Sequence, residues 1–386
     1  MISKAHVEKY FSEVKDPRSR KSPHDFYEIL TIAICCAICG LYEWEDMVIF
    51  TEIHYSWLTE RIGLTLEGGI PSEATFRRIL TAIDGKNFEL CFIKWAKVFR
   101  EIIEEDILCF DGKTARGSRK KNDNERATHL LNVWSYKNGV VIGQRAVDKK
   151  TNEITAIPEM LELLFLEGCT VTIDAMGCQK DIVSVIRKRK AHYLISLKGN
   201  QGDIHRDVSQ HLSKLLDSTD RTEIIHSYYE ANTEIDHGRI EIRRCLAVPV
   251  DIKEREYDSA HLWKDLNTVA IIESTRIDKA TGKTSTERRC FLTSHECNAE
   301  KILEIARAHW SVENSLHWIL DVSCGEDDSK INSKNAPIVM SALRKIGVNF
   351  VKADKDSKRS FKKRQKKALM SLAYLEKILA LGLLNH

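Results

Sequence analysis

Three acidic residues have the types and positions that metal-dependent phosphodiester chemistry requires. Asp111 ends the apolar run DILCF, Asp174 ends the run CTVTI, and Glu313 lies in the segment ARAHWSVENSLHWILD. Hard divalent ions such as Mg²⁺ prefer carboxylate oxygens, and two such ions about 3.5–4 Å apart can activate a nucleophile and relieve charge on a leaving oxygen. Each acid alone is more often a turn, cap or surface residue. Their joint placement favours a two-metal site.

The two aspartates are predicted to project from one face of a β-sheet. Side chains alternate along a strand, so Cys109 and Asp111 share one face, as Thr172 and Asp174 do. If the two strands are parallel neighbours, both carboxylates lie at the same edge of the sheet. The third acid would come from a helix, because His309, Glu313 and His317 are spaced four residues apart and share one stripe.

The first hundred residues are predicted to form a helical N-terminal domain. Apolar residues recur at helical spacing in this region, and Pro71 and Ser72 open the segment SEATFRRILTAI. This helix is expected to bury Phe76, Ile79, Leu80 and Ile83. Its outward-facing arginines, Arg77 and Arg78, suit a DNA-contacting helix, although a plain core helix fits the pattern equally well.

From residue 101 to 386 the pattern predicts an α/β catalytic domain. Runs DILCFDG, HLLNVWSY and VVIGQRAV read as strands, with a tight turn at Asn138 and Gly139. Alternating helices and strands follow, and the order βββαβαβ is that of a ribonuclease-H-like core, whose first and fourth strands are neighbours. A β-rich insertion is expected at about residues 200–298, followed by C-terminal helices.

Composition indicates a globular protein without a membrane span. Hydrophobic residues make up 43% and charged residues 30% of the 386, and the net charge is only +3. The longest apolar run, 30–41, is far below the roughly 20 residues that cross a bilayer, and the N-terminus lacks a secretory signal, so a cytoplasmic location is expected. Basic clusters at 116–121 and 358–367 are more often solvated faces than binding sites.

Several long segments resemble the ISAs1 family of bacterial insertion-sequence transposases, a group that includes the H-repeat-associated proteins. The matching segments are FDGKTARGS, NEITAIPEMLELL, TIDAMGCQKDI, YLISLKGNQ, HGRIEIRR and HWSVENSLHWILDV. The N-terminal stretch DPRSRKSPHDFYEILTIAICCAICGLYEWEDM is similar to the same family's N-terminal domain. The resemblance therefore covers nearly the whole chain.

The resemblance implies a DDE transposase that depends on Mg²⁺ or Mn²⁺. Its expected partners are double-stranded DNA, both the inverted-repeat ends and the target, and a second copy of the chain as a homodimer on DNA. By motif, Asp111, Asp174 and Glu313 are the catalytic and metal-binding acids. The cluster 326–328 offers Asp327 as a fallback for the third acid.

The resemblance leaves the phosphate-gripping residues open. Related transposases place a tyrosine, an arginine and a lysine around the glutamate, where this chain has Ala306, His309 and Leu320. The candidates for DNA contact are Lys113, Lys198, His237, Arg239, His309, Arg77 and Arg78. Two other functions stay open: a non-catalytic DNA-binding regulator, and a metal-dependent nuclease without strand transfer.

Overall fold

The computed structural model describes residues 3–20, 22–119, 127–147, 153–218, 227–231, 233–236, 238–250, 257, 259–333 and 335–382. The chain divides into two compact units. Unit 1 comprises Met1–Ile103, Gly112–Asn152 and Val312–His386, and unit 2 comprises Glu104–Asp111 and Glu153–Ser311. The fold is mixed α/β with a large sheet.

The described strands, in chain order, are β1 Ile107–Ala115, β2 Thr128–Ser135, β3 Val140–Val147, β4 Thr170–Ile173, β5 His192–Leu197, β6 Ser227–Glu230, β7 Glu234–Asp236, β8 Arg239–Pro249, β9 Thr268–Asp278 and β10 Thr284–Thr293. The described helices are α1 Lys4–Phe11, α2 Phe26–Cys39, α3 Trp44–Ile53, α4 Tyr55–Trp57, α5 Glu73–Ala82, α6 Gly85–Ala96, α7 Glu153–Leu163, α8 Lys180–Lys188, α9 Gly202–Asp217, α10 Ala299–Val312, α11 Ala336–Ala353, α12 Phe361–Met370 and α13 Leu372–Leu381. Three π-helical segments are Leu58–Ile62, Glu313–His317 and Ile319–Ser323.

Unit 2 is built on a sheet in the order β1-β4-β5-β10-β9-β8-β6. Strands β1, β4 and β5 are parallel neighbours, as expected for strands that are joined through helices α7 and α8. The first and fourth strands are therefore side by side, as the sequence predicted. Their residues Leu108, Cys109, Val171 and Ile173 are buried, which matches near-continuous apolar runs in a sheet covered on both faces.

The region of the predicted β-rich insertion contains a helix as well as strands. It begins with a 16-residue helix, α9, whose buried residues Ile204, Val208, Leu212 and Leu216 follow a helical period. Its last strand, β10, pairs antiparallel with β5 and extends the same sheet. This pairing covers the edge that β5 would otherwise expose.

Unit 1 contains the predicted hairpin and most of the helices. Strands β2 and β3 pair antiparallel around the turn at Asn138 and Gly139, and Gly139 has a φ of 69°, which favours glycine. Helix α2 begins where Asp25 accepts hydrogen bonds from the backbone of Tyr27 and Glu28, and it ends at Gly40 in the left-handed region. The hairpin prediction is confirmed.

Helices α2 and α11 pack closely at the centre of unit 1. Nearly every residue of α2 is buried, and a Cβ on Gly347 of α11 would lie 2.5 Å from the carbonyl oxygen of Ala37. A glycine is required there because a side chain would push the helices apart. Contacts thus group the C-terminal helices with the N-terminal ones, whereas the sequence-based division ended the first domain at residue 100 and assigned the C-terminal helices to the second.

No single described helix is long and apolar enough to cross a membrane. Only α2 and α3 taken together reach the necessary length and hydropathy, and they meet at a bend of 97°.

Candidate active site

Asp111 and Asp174 hold matching positions on neighbouring strands of unit 2. Residues 107–110 of β1 pair in register with residues 170–173 of β4, and Phe110 lies opposite Ile173. One residue further along each strand, Asp111 follows Phe110 and Asp174 follows Ile173. Adjacent strands are about 4.8 Å apart, so the register brings these two acids together at the carboxyl end of the strand pair.

The turn after β4 orients Asp174. Its Oδ1 accepts a hydrogen bond of 2.6 Å from the backbone N–H of Ala175, which starts the short helical turn Ala175–Gly177. A Cβ on Gly177 would overlap the side chain of Ile173, so only glycine lets this turn fold back onto the strand. The Asp174 side chain is 54% exposed and therefore accessible to a ligand.

The loop after β5 supports the same edge of the sheet. Lys198 Nζ lies 3.6 Å from Asp174 Oδ1, and its side chain is 59% exposed. Asn200 Nδ2 donates to the carbonyl of Ala175 at 2.9 Å, and Gln201 Nε2 donates to the carbonyl of Cys178 at 2.6 Å. Neither amide is among the residues predicted from the sequence. Their position directly after a strand that adjoins β4 is the feature that could have indicated a role.

Helix α10 contacts the sheet face that carries the aspartates. His309 Nδ1 lies 2.9 Å from Thr172 Oγ1, and Thr172 shares a face with Asp174 and is paired in register with Cys109. His309, a candidate for DNA contact, is half-buried at this position. Its ring therefore helps to hold α10 against β4.

Glu313 lies in unit 1, at the start of the π-helical segment Glu313–His317. Its side chain is 77% exposed, and its Oε2 lies 3.2 Å from Nδ1 of the buried His317. Burial lowers the pKa of His317 and outweighs the opposite effect of the Glu313 carboxylate. Glu313 and His317, which the sequence predicted to share one helical stripe, are in contact, although the segment is π-helical. Such irregular turns are frequent at functional sites.

Lys113 is surrounded by carboxylates. Its side chain is 8% exposed, and its Nζ lies 2.6 Å from Asp321, 3.2 Å from Glu326 and 3.4 Å from Asp327, all within unit 1. Burial alone would lower the pKa of Lys113, but these three carboxylates raise it above its usual value. The expectation that Lys113 contacts phosphate does not fit this arrangement, because the ammonium already has three acidic partners.

The carboxylates around Lys113 include Asp327, the alternative candidate for the third acid. Asp327 Oδ1 accepts hydrogen bonds from Lys113 Nζ and from the backbone N–H of Arg116. The neighbouring Glu326 is only 3% exposed, and its Oε1 accepts a hydrogen bond of 2.6 Å from Ser341 Oγ. Burial raises the pKa of Glu326, but Lys345, Lys113 and Arg344 outweigh it and lower the pKa to about 2. These carboxylates are neutralised by internal cations rather than open to an ion.

The remaining candidates for DNA contact are on the surface or outside the described residues. Arg77 and Arg78 are exposed on α5, where Arg77 pairs with Glu73, and the four predicted core residues of this helix are buried. Arg239 is exposed at the start of β8. His237 lies outside the described residues.

The donor set at the sheet edge fits a hard cation. Two carboxylates on adjacent strands supply the oxygen ligands that Mg²⁺ prefers, and the Lys198 ammonium already stands beside one of them. Within the described part of the chain, no group of three or more His, Cys, Asp or Glu side chains is placed to hold a metal ion. The two aspartates belong to unit 2 and Glu313 to unit 1.

Comparisons with known proteins identify the family. The model of the transposase DDE domain matches residues 76–350, and a second model, described as DDE_Tnp_1-associated, matches residues 8–96. The chain is 36% identical over 373 residues to "Putative transposase YncI" of Escherichia coli O157:H7, covering 96% of this chain and 93% of that protein.

It is 37% identical over 363 residues to "H repeat-associated putative transposase YhhI" of Escherichia coli K12, covering 93% of each chain. A cryo-EM structure of a piggyBac transposase synaptic complex with hairpin DNA aligns with a TM-score of 0.44 at 10% identity, over 98% of this chain and 82% of that one. A TM-score this low supports no conclusion about function. The match to the transposase DDE domain, in contrast, spans most of the chain. The chain belongs to the DDE transposase family.

Proposed function

We propose that this protein cuts and joins DNA at the ends of its own insertion sequence, with Asp111, Asp174 and Glu313 as its metal-binding acids. The observation that carries this proposal is the register of β1 and β4, which sets two aspartates side by side at the end of neighbouring parallel strands. Membership of the DDE transposase family supplies the reaction class. The proposal also includes two finer assignments: that the chain belongs to the ISAs1 group and that its catalytic core is ribonuclease-H-like.

The two aspartates would hold Mg²⁺ or Mn²⁺ at the sheet edge. When bound, such ions generate a nucleophile from water or a 3′-hydroxyl at neutral pH and stabilise charge on the leaving oxygen. The protein's own groups orient the Asp174 carboxylate: the backbone N–H of Ala175 fixes one of its oxygens, and Asn200 holds the turn that contains this N–H. Lys198, next to Asp174 and exposed, is positioned to contact a DNA phosphate.

Glu313 is the proposed third acid because of its place in the motif HWSVEN, directly after the end of helix α10. His309 touches Thr172, two residues before Asp174 on the same face of the strand. Glu313 follows His309 by four residues, about one helical turn. Among the described residues its exposed carboxylate pairs with His317 and with no lysine or arginine, unlike the carboxylates around Lys113.

DNA recognition is proposed for the helical region 1–100, with Arg77 and Arg78 as exposed backbone contacts, and Arg239, exposed at the start of β8, is proposed as a further backbone contact. Phosphate contacts of this kind position a protein without reading the sequence. We further propose that two copies of the chain act together, because a transposition reaction processes two ends of one element.

The proposal is tested by assaying cleavage and joining of a DNA that carries the element's own flanking ends, in Mg²⁺ or Mn²⁺. The intact protein is compared with Asp111→Asn, Asp174→Asn and Glu313→Gln, and with Asp327→Asn as a matched acid-to-amide control. Loss of cleavage and joining in the first three, with DNA binding kept and the control active, supports the proposal.

Three other outcomes would change the assignment. If Asp327→Asn is inactive and Glu313→Gln is active, Asp327 is the third acid. If the intact protein binds the ends without cutting them, it is a DNA-binding regulator. Cleavage without joined products would identify a metal-dependent nuclease.

A further inference from the structure

Helix α12 carries a dense run of positive charge. Seven of the fourteen residues 357–370 are Lys or Arg, and none is Asp or Glu. Lys362 and Lys366 are four residues apart, as are Lys363 and Lys367, and all four are exposed. Residues at this spacing are neighbours on a helix, so the lysines form two adjacent rows on one side.

The opposite side of α12 is held against the core of unit 1. Phe361, Gln365 and Ala368 are buried, and Gln365 Nε2 donates to the hydroxyl of Tyr42 at 3.2 Å. The helix packs against α2, α13 and the π-helical segment Ile319–Ser323. This packing fixes the orientation of α12 and turns the lysine rows towards solvent.

The lysines in these rows lack acidic partners within the described structure. Arg364 donates to the carbonyls of Val351 and Asp354, and Lys367 lies 4.0 Å from the ring of Tyr374. No carboxylate of the described residues pairs with Lys362, Lys363 or Lys366, whereas the acids just before α12, at 354 and 356, pair with Lys377.

This arrangement of charge is unfavourable for the free protein. Like charges four residues apart repel, and lysines in the first turn of a helix face the positive end of its dipole. The first turn of α12 contains no acid that would offset them. An external polyanion would remove both unfavourable effects.

We propose that the face of α12 formed by Lys362, Lys363 and Lys366 binds the phosphate backbone of duplex DNA. This inference rests on the proposed function, and it adds a surface that the catalytic assignment does not include. An anionic membrane fits less well, because a membrane-surface helix inserts an apolar face and the apolar face of α12 is buried in the protein. A duplex on α12 would run beside Ile319–Ser323, the segment that follows Glu313–His317.

The test is the salt dependence of DNA binding by the full-length variant Lys362→Gln/Lys363→Gln/Lys366→Gln. Each lost phosphate contact reduces the slope of log K against log salt by about 0.9, so the slope should fall by roughly 2–3. At about 0.1 M salt the affinity should fall roughly 10- to 100-fold. Because backbone contacts carry no sequence information, the loss should be equal for an end-containing duplex and a random duplex of the same length.

The matched control is Lys94→Gln/Lys190→Gln/Lys264→Gln, which removes the same charge from exposed lysines that each pair with a carboxylate. Its salt slope should change by less than half as much. An unchanged slope in the α12 variant, an equal change in both variants, or a loss confined to phosphatidylserine vesicles or RNA would overturn the inference. Failure of the intact protein to bind either duplex at low salt would instead refute the proposed function.

Discussion

Two carboxylate-rich regions of this protein differ in what balances their charge. In unit 2, Asp174 is 54% exposed and its nearest described cation is an exposed lysine at 3.6 Å. In unit 1, Glu326 is 3% exposed, and three carboxylates converge on the buried ammonium of Lys113. The first region keeps its oxygens accessible, and the second uses its oxygens to hold one lysine in place.

This difference shows why a count of acids does not identify a metal site. A buried carboxylate must be neutralised by a cation or a hydrogen-bond donor, and once neutralised it has little to offer a metal ion. The sequence alone makes Asp327 a reasonable third acid. Its contacts in the structure assign it to the Lys113 cluster.

The largest expected effect is on the rate of DNA cleavage, which should fall far more in the Asp174→Asn variant than in the Asp327→Asn variant. Loss of a metal ligand should remove several kcal/mol of transition-state stabilisation, which lowers the cleavage rate about 10³-fold or more. Asp327→Asn should change the rate less than about tenfold, a limit of about 1.4 kcal/mol. Single-turnover cleavage rates measure both, and equal losses in the two variants would contradict the comparison.

The next largest effect is expected for stability when Lys113 is replaced by methionine. Removing one partner of a buried ion cluster leaves uncompensated charge and should cost about 3–5 kcal/mol in the free energy of unfolding. Lys198→Met, at the exposed pair, should cost less than about 1 kcal/mol.

Urea unfolding of both variants gives this difference. The double variant Lys113→Met/Glu326→Gln should recover part of the loss, because it also removes a buried negative charge. Equal stability of Lys113→Met and Lys198→Met would show that the cluster does not hold unit 1 together.

Acid should weaken unit 2 through His295. Burial lowers the pKa of His295 from 6.5 to about 3, and its Nε2 lies 2.9 Å from Thr170 Oγ1. Between these values the unfolded chain binds a proton that the folded chain does not, so stability falls as the pH drops from 6.5 towards 3, by up to about 1.4 kcal/mol per pH unit. In His295→Gln the loss of stability between pH 6.5 and pH 5 should be smaller. An unchanged pH profile would contradict this assignment.

Glu326, in unit 1, should respond at lower pH than His295 does. Its pKa is lowered from 4.5 to about 2, so its contribution is complete above pH 4.5 and is lost as the pH falls towards 2. Glu326→Gln should therefore flatten the pH dependence of stability below pH 4.5 and leave the range from 6.5 to 5 unaltered. Thermal unfolding across both ranges separates the two groups.

The smallest effect is expected for Asn200→Ala. This variant loses one hydrogen bond to the carbonyl of Ala175, worth about 1 kcal/mol, and loosens the turn that orients Asp174. We expect a decrease of roughly fivefold in cleavage rate with little change in DNA binding. Gln201→Ala, which loses the bond to Cys178, is the matched control and should have the weaker effect on cleavage.

Much of the fold followed from local patterns. The apolar runs at 107–110 and 170–173 predicted buried strands, the Asn138–Gly139 pair predicted the hairpin turn, and the spacing of Phe76, Ile79, Leu80 and Ile83 predicted the buried face of α5. Each of these is a short-range property, because periodicity and turn chemistry depend on residues close in sequence. The strand pairing of 197 with 290 was not predictable in this way, because the two residues are distant in sequence.

The sequence by itself determined the two strands that lead to Asp111 and Asp174 and the transposase family to which the chain belongs. Tertiary structure decided which charges meet. Lys113 and Glu326 are more than two hundred residues apart, as are Lys345 and Gln144, yet both pairs are in contact within unit 1. Such contacts depend on how helices and strands pack, and packing is a long-range property that no local pattern records. The burial that follows from it decides whether a carboxylate is available to a ligand or is committed to the protein's own cations.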